Sequence, residues 1–333
     1  MAKAAIIIPA YNVAQYIHRA ISSCIRQTEA DIEIIIIDDG STDETVSVIE
    51  KYTQEDSRIV FRSKENEGVS AARNAGLDLA TADYLLFLDA DDWLEDTAVE
   101  QLLAQLQQDK TVLICCECNF VYPEPDGSLR EIYQGDHTQP LFLDRTQALH
   151  HVGKDSLLKL TSSCYRLYER RVIEENGLRF DRGIHHGEDG LFVFRYLNLV
   201  DGIYYFSDPL WNILKHPGSA TTGGYNARWK SAITAVDRML EQPGLDRQTM
   251  ENLRAFKAIR AKGVQMVGIR TPGTPVEDIR YARSEFRKNV YYQLRGCRHI
   301  KLWFEAAVLI FFPIWLARIL MNMMARIHGS RIQ

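Results

Sequence analysis

The sequence feature that most constrains the fold is an alternation of short apolar runs with amphipathic stretches over the first 122 residues. Five apolar runs of strand length recur along this segment, and stretches with helical periodicity separate them. Strands that alternate with helices in this way form a parallel sheet with helices on both faces. The sequence therefore predicts a doubly wound α/β fold, with strands over residues 4–8, 33–37, 59–62, 84–88 and 112–122.

Three carboxylates follow the fourth predicted strand directly. Asp89, Asp91 and Asp92 come immediately after the apolar run 84–88. Ligands of open α/β sheets bind at the carboxyl ends of the strands, where clustered acids repel one another unless a cation neutralises them. Because oxygen-rich ligand sets suit Mg²⁺ or Mn²⁺, the cluster predicts a divalent cation that holds a phosphorylated ligand.

Polar segments also stand at the ends of the other predicted strands. Pro9-Ala-Tyr-Asn12 ends the first strand, residues 38–43 end the second, and residues 66–76 open the third predicted helix. Parallel strands end at one edge of a sheet, so these segments and the acid cluster are expected to line one cleft. A second acidic pair, Glu188-Asp189, stands at the predicted start of a helix, where a carboxylate can also be a simple cap.

Taken together, these segments resemble the inverting glycosyltransferases of family 2, which have the GT-A fold. The resemblance spans roughly residues 3–217, and the order, spacing and residue types of the segments all agree with the family pattern. It implies a GT-A catalytic domain over residues 1–220, with Mn²⁺ or Mg²⁺ as cofactor. Beyond that domain, the sequence itself predicts a helical extension over 221–299, with residues 226–295 mostly helical and a break at 271–275. The implied reaction moves a hexose or N-acetylhexosamine from a UDP-sugar to an acceptor hydroxyl. A non-catalytic nucleotide-sugar-binding scaffold or regulator is the alternative.

The resemblance implies donor-binding roles for five residues. Pro9 and Tyr11 would border the nucleotide base, with the Tyr11 ring stacked on it. Asp39 would accept a hydrogen bond from the uracil ring. Arg73 would lie near the base and the diphosphate, and Asp89 near the ribose or the sugar.

The resemblance also implies how the cation is held. Asp91, the second acid of the Asp-x-Asp motif, would bind the metal that bridges the diphosphate. His216 and Ser219 match a family motif that closes over the diphosphate, where the His completes the metal shell; an ordinary surface loop is the alternative. From the residues alone, Asp92 is predicted to cap a helix, and Asp38 to be a structural acid bonded to loop amides.

The catalytic base is assigned by the resemblance to the second acidic pair. Asp189 would take the proton of the acceptor hydroxyl, which attacks from the face opposite the leaving nucleotide. Glu188 would orient the acceptor or the donor sugar. The reverse assignment stays open, because sequence alone fixes a helix start only to within a residue or two.

The charge distribution bears on the expected partners and location. The formal net charge is −5, which gives no indication of nucleic-acid binding. From residue 280 onward there are ten Lys and Arg against two Glu, a net charge of +8, so the preceding residues carry −13. Such an asymmetry predicts a basic tail that meets an anionic surface. With no secretory signal pattern, the expected location is the cytoplasm, at the inner face of the cell membrane.

The tail over residues 300–333 has the pattern of a membrane-surface helix. Its uncharged run 306–317 is shorter than the roughly 20 residues of a spanning helix, and it contains Pro313. Basic residues opposite aromatic and aliphatic ones predict a helix in the membrane interface, next to a saccharide or lipid-linked saccharide acceptor. A terminal helix packed on the protein's own core or on a second subunit is the alternative. The two faces are Arg318, Asn322 and Arg326 against Trp315, Ile319, Met323 and Ile327.

Overall fold

The computed structural model describes residues 2–124, 126, 128–133, 139–152, 160–216, 225–295 and 300–320. The chain forms two compact units. The first, here called the sheet unit, contains residues 1–151, 155–182 and 188–219. The second, here called the helical unit, contains residues 152–154, 183–187 and 220–333.

The first half of the sheet unit alternates strands with helices, as predicted. Its elements are β1 Ala4–Ala10, α1 Ile17–Ile25, β2 Ile32–Asp38, α2 Thr45–Glu55, β3 Ile59–Ser63, α3 Val69–Leu79, β4 Tyr84–Phe87, β5 Trp93–Leu94, α4 Ala98–Ala104 and β6 Val112–Pro123. The second half is less regular. Its elements are β7 Leu129–Tyr133, β8 Leu141–Asp144, α5 Arg145–His151, β9 Arg166–Glu169, α6 Arg170–Glu175, α7 Glu188–Leu197 and β10 Gly202–Leu214.

The strands of the described residues form one mixed sheet. Its order is β3-β2-β1-β4-β9-β6-β10-β5, with β7 paired to β6 and β8 to β10. Strands β1 to β4 are mutually parallel, and β9 runs antiparallel between β4 and β6. The predicted α/β class is therefore confirmed. The strands β5 and β9 were not predicted, because runs of two and four residues are too short to show a periodicity.

The central strands are buried on both faces, which explains their continuous apolar sequences. Helix α3 packs closely on this core at Gly76, where an added Cβ would lie 2.4 Å from Cγ2 of Ile7 on β1. A glycine at this point lets the helix approach the strand, and the same helix carries Arg73 to the carboxyl edge of the sheet. The fully buried strand residues include Ile6, Ile7, Ile8, Ile34, Ile35, Ile36, Ile37, Leu85, Leu86 and Phe87.

The helical unit is built from long helices. They are α8 Ser231–Leu240, α9 Arg247–Arg270, α10 Val276–Leu294 and α11 Ile300–Phe311, preceded by a 3₁₀ turn at Ala227–Lys230 and followed by helical residues 314–320. The mostly helical character predicted for 226–295 is confirmed, as is the break at 271–275 between α9 and α10. No described helix is both long and apolar enough to span a bilayer.

The terminal helices have one face in the core of the helical unit and one face exposed. Ala306, Val308, Leu309 and Ala317 are buried in that core, and Gln265 Nε2 donates a hydrogen bond to the Leu309 carbonyl at 2.8 Å. The opposite face is apolar and exposed. Its residues are Trp303, Phe304, Phe311, Phe312, Trp315 and Ile319, here called the aromatic face, with Phe311 77% and Trp315 65% exposed. The other residues of the two predicted faces of the tail helix, Asn322, Met323, Arg326 and Ile327, lie outside the described residues.

Candidate functional site

Arg73 on α3 joins the acids of two separate segments of the sheet unit. Its Nη1 donates to Asp189 Oδ1 at 2.6 Å, and its Nη2 donates to Asp89 Oδ1 at 2.9 Å. Glu188 Oε1 lies 3.7 Å from Nη1, and the Arg73 side chain is only 4% exposed. Burial lowers the pKa of Arg73, but the Asp189 and Asp89 carboxylates outweigh burial and raise it, so the guanidinium stays charged.

Asp189 stands in the first turn of α7, as predicted, and its environment favours proton uptake. Burial, as the largest cause, and the negative charges of Glu188 and Asp89 raise the pKa of Asp189 to about 6. The Arg73 charge and a hydrogen bond from Ser163 Oγ, at 3.1 Å, act in the opposite direction. A carboxylate with a pKa just below neutrality is mostly ionised at pH 7 and can act as a general base.

Asp91 and His216 lie side by side. His216 Nε2 is 3.0 Å from Asp91 Oδ2, and Nδ1 on the other side of the ring is 3.1 Å from the Tyr16 hydroxyl. The Tyr16 and His216 rings also pack with their centroids 4.4 Å apart. Tyr16 therefore fixes the orientation of the imidazole, in the way that outer partners orient metal-binding histidines.

The donor set of this pair suits a cation that is shared with a phosphorylated ligand. One carboxylate and one imidazole fit Mn²⁺ or Mg²⁺ when phosphate oxygens and water complete the coordination. Across the described part of the chain, no group of three or more His, Cys, Asp or Glu side chains could hold a metal ion. Ser219, which was predicted together with His216 to close over the diphosphate, lies outside the described residues.

The prediction that Asp92 caps a helix is wrong. Helix α4 begins only at Ala98, and Asp92 Oδ1 instead accepts a hydrogen bond from the Leu214 N–H at 3.0 Å. Burial, together with the charges of Asp89 and Asp91, raises the pKa of Asp92 well above its ordinary value. Its side chain joins the loop after β4 to the end of β10, a contact that sequence spacing gives no means of predicting.

Asp38 has the structural role that was predicted for it. It is buried at the end of β2, where Oδ1 accepts the Ser41 N–H at 3.1 Å and Oδ2 accepts the Ser63 hydroxyl at 2.7 Å. The next residue, Asp39, is also buried, and it accepts hydrogen bonds from Lys64 and from backbone amides that lead into α3. The two acids thus tie the loop after β2 to the segment that precedes α3.

The remaining predicted donor residues lie in the chain around the end of β1. Pro9 is within β1, and Tyr11 directly follows it with an exposed side chain. Asn12 organises this loop, because its Oδ1 accepts the Thr42 N–H at 2.8 Å. Within the described residues, Pro9, Tyr11 and Asp39 have no direct bond to Arg73, so their grouping with the acids stays a prediction.

Three contributors to the site were not predicted from the sequence. Ser163, Tyr16 and Lys64 lie outside every recognised motif, and each acts through a residue far away in the chain. For Tyr16, the sequence offered one signal of a role in the site, namely its place shortly after β1, near the edge of the sheet where the site was expected.

The sequence comparisons agree with this architecture. The family model "Glycosyl transferase family 2" matches residues 5–177. Glycosyltransferase GlyA of Streptococcus pneumoniae serotype 4 is 31% identical over 243 residues, which are 72% of this chain and 34% of that protein. The chain spans less than two thirds of the length of the first curated relatives that it matches.

Solved structures share the fold at low sequence identity. The structure of Staphylococcus aureus TarS 1–349 in complex with UDP-GlcNAc matches with a TM-score of 0.64 and 18% identity, covering 88% of this chain and 91% of that one. The mannosyltransferase PcManGT from Pyrobaculum calidifontis, in complex with GDP-Man and Mn²⁺, matches with a TM-score of 0.56 and 13% identity, covering 96% and 87%. These matches confirm the GT-A fold, and with the family model over more than half of its length, the chain belongs to glycosyltransferase family 2.

Proposed function

We propose that this glycosyltransferase moves a hexose or N-acetylhexosamine from a UDP-sugar to an acceptor hydroxyl, with inversion at the anomeric carbon. The observation that carries the proposal is the pair of carboxylates, Asp89 and Asp189, that Arg73 holds together. Asp89 contacts the ribose or the sugar of the donor, and Asp189 takes the proton of the acceptor hydroxyl. The UDP-GlcNAc complex of TarS, a protein of the same fold, supports the choice of donor.

The proposed reaction is a single displacement. The acceptor oxygen forms its bond to the anomeric carbon while the bond from that carbon to the diphosphate breaks, and UDP leaves with the electron pair. Asp189 takes the acceptor proton as the new bond forms. Glu188 orients the acceptor or the donor sugar, and the buried charge of Arg73 keeps Asp89 and Asp189 in fixed positions.

Asp91 and His216 are the residues that would hold Mn²⁺ or Mg²⁺, and Ser219, three positions after His216 in the sequence, would contact the diphosphate. The cation would supply positive charge where negative charge develops on the leaving diphosphate. The Mn²⁺ in the PcManGT complex supports this part of the proposal. Tyr11 and Pro9 would border the base, and Asp39 would accept the uracil N–H.

A donor screen tests the proposed reaction. Purified protein with Mn²⁺ is offered UDP-glucose, UDP-GlcNAc and GDP-mannose, nucleotide diphosphate release is measured, and proton NMR gives the anomeric configuration of the product. We expect turnover with a UDP-sugar and an inverted product. A retained configuration, or turnover with GDP-mannose alone, would contradict the proposal. Activity undiminished in excess chelator would contradict the role given to Asp91 and His216.

We also propose that the aromatic face binds the anionic inner surface of the cell membrane, where a saccharide or lipid-linked saccharide acceptor is presented. Trp and Phe side chains on an exposed helix face partition into the lipid interface, and nearby basic residues are attracted to anionic headgroups. The exposure of Phe311 and Trp315 and the net charge of +8 from residue 280 onward support this choice of partner.

Flotation with lipid vesicles tests the membrane proposal. Deletion of residues 300–333 would also remove core side chains, so the sharper test is the double substitution Phe311→Ser, Trp315→Ser. We expect wild type to float with phosphatidylglycerol vesicles and less with phosphatidylcholine, and the double variant to stay in solution. Tyr291→Ser is the matched control, since this exposed tyrosine lies outside the aromatic face. Equal flotation of wild type and the double variant would contradict the proposal.

A further inference from the structure

Lys64 is bonded directly to the carboxylate of Asp39. Its Nζ lies 2.9 Å from Asp39 Oδ1, 2.7 Å from Glu67 Oε2 and 2.6 Å from the Glu65 carbonyl. The side chains of Lys64 and Asp39 are 18% and 4% exposed, so the pair is largely shielded from water. Because the three protons of the ammonium have three acceptors in the protein, Lys64 would influence a bound ligand indirectly, through an acceptor such as Asp39.

The Asp39 carboxylate is held by donors from a single short segment. Oδ1 accepts from Lys64 Nζ and from the Glu67 N–H at 3.0 Å, and Oδ2 accepts from the Gly68 N–H at 2.7 Å. A carboxylate offers about four lone-pair positions, and donors among the described residues occupy three of them. One position on Oδ2 therefore remains for a hydrogen-bond donor of a bound ligand. The carboxylate is thereby oriented as an acceptor for one further N–H group.

The backbone keeps these two segments close together. Gly40, directly after Asp39, has a φ of +77°, and a Cβ at this position would lie 2.8 Å from the Asn66 N. A glycine is required for both reasons, since other residues rarely adopt this φ and none could approach so closely. Lys64 and Asp39 therefore meet in a fixed geometry that a surface ion pair between flexible side chains does not have.

We propose that Lys64 is a positioning residue that sets the base preference of the donor site, for uracil over cytosine. The inference rests on the proposed function, in which Asp39 accepts a base N–H. Uracil presents an N–H at its position 3, whereas cytosine presents a lone pair there. An ionised carboxylate accepts from the first and repels the second, and a site built for one hydrogen-bonding pattern discriminates strongly against the other.

The ammonium of Lys64 maintains this discrimination by fixing the orientation of the Asp39 carboxylate. A charge-assisted hydrogen bond, here 2.9 Å long, orients the carboxylate more firmly than a neutral one would. Without Lys64, the carboxylate could rotate away from the uracil N–H, and the preference for uracil over cytosine would weaken.

Calorimetric binding of UDP and CDP, with Mn²⁺ present, tests the inference in wild type, Lys64→Met and Lys64→Arg. Loss of one charge-assisted hydrogen bond is expected to weaken UDP binding by about tenfold in Lys64→Met, while CDP binding changes by less than about threefold. Lys64→Arg is expected to restore most of the preference. Lys51→Met is the matched control, because Lys51 is an exposed lysine on α2 of the same unit.

The outcomes separate this inference from the proposed function. An equal loss of UDP and CDP affinity in Lys64→Met would indicate a merely structural role and would overturn the inference, as would an unchanged preference. A wild-type protein with no preference for UDP would contradict the proposed donor as well as this inference.

Discussion

Arg73 and Asp189 form an ion pair of 2.6 Å between residues that lie 116 positions apart in the chain. The guanidinium is almost completely buried and also bonds to Asp89, so one cation holds the acid after β4 and the acid at the start of α7. Removing either partner of a buried ion pair leaves an uncompensated charge, which makes such a pair a strong geometric constraint. The proposed base is thus positioned by the same residue that positions the donor-side acid.

The first prediction concerns pH. Because burial raises the pKa of Asp189 to about 6, the carboxylate is protonated below that pH and cannot accept the acceptor proton. Turnover at saturating donor should therefore rise with pH through about 6 and level off above about 7. UDP binding measured at the same pH values is the control. A flat turnover profile between pH 5 and 7.5 would rule out Asp189 as the group that titrates.

The second prediction concerns Ser163. Its hydroxyl donates to Asp189 Oδ1 and lowers the pKa of that carboxyl. In Ser163→Ala the acidic limb of the pH profile should move to higher pH, and turnover near pH 6 should fall several-fold, in keeping with the roughly 1 kcal/mol of one hydrogen bond. Turnover at pH 8 should recover. Ser22→Ala, which removes a hydroxyl that bonds to Tyr52, should leave the profile in place.

The third prediction concerns the orientation of His216. Loss of an outer partner of a metal-binding histidine typically weakens metal affinity by about 10–100-fold. Tyr16→Phe removes the hydroxyl at 3.1 Å from Nδ1 but keeps the ring contact. We expect the Mn²⁺ concentration for half-maximal activity to rise by about tenfold, with little change in turnover at saturating Mn²⁺. Tyr52→Phe is the matched control, and an unchanged Mn²⁺ requirement in Tyr16→Phe would contradict the role of Tyr16.

The fourth prediction compares two helical glycines by thermal unfolding. Gly76→Ala would place a Cβ 2.4 Å from Ile7 Cγ2, so α3 must shift from β1, at a cost of about 1–3 kcal/mol. Gly263→Ala meets no atom within 4 Å and should stabilise α9 by up to about 1 kcal/mol, because alanine has the higher helix propensity. A Gly76→Ala protein as stable as wild type would contradict the close packing of α3 on β1.

Much of the fold was predictable because its signals are local. The apolar runs 4–8, 33–37 and 84–88 and their helical connections required a parallel sheet, and a parallel sheet places its strand ends along one edge. The short strands β5 and β9 carry too few residues for such a signal. Their places depend on pairing with β10, β4 and β6, which only the folded chain supplies.

The contacts within the site were less predictable because they join distant segments. No periodicity relates Tyr16 to His216, 200 positions away, or Asp92 to Leu214, 122 positions away. Asp92 was predicted to cap a helix because an Asp shortly before a helical stretch commonly has that role. In the folded chain its side chain is buried beside the end of β10, where it accepts the Leu214 N–H. The sequence pattern supplies the residue types of a site, and tertiary packing determines which of them touch.

The measurement that tests the central claim most directly is turnover of Asp189→Asn with donor binding measured alongside. The amide keeps the size of the side chain and can still bond to Ser163, but it cannot take up the acceptor proton. We predict that turnover falls by about 100-fold or more, since general-base catalysis contributes about 10²–10⁴-fold, while UDP binding stays within about threefold of wild type. Turnover within tenfold of wild type, with UDP binding intact, would contradict the account and would direct attention to Glu188 as the base.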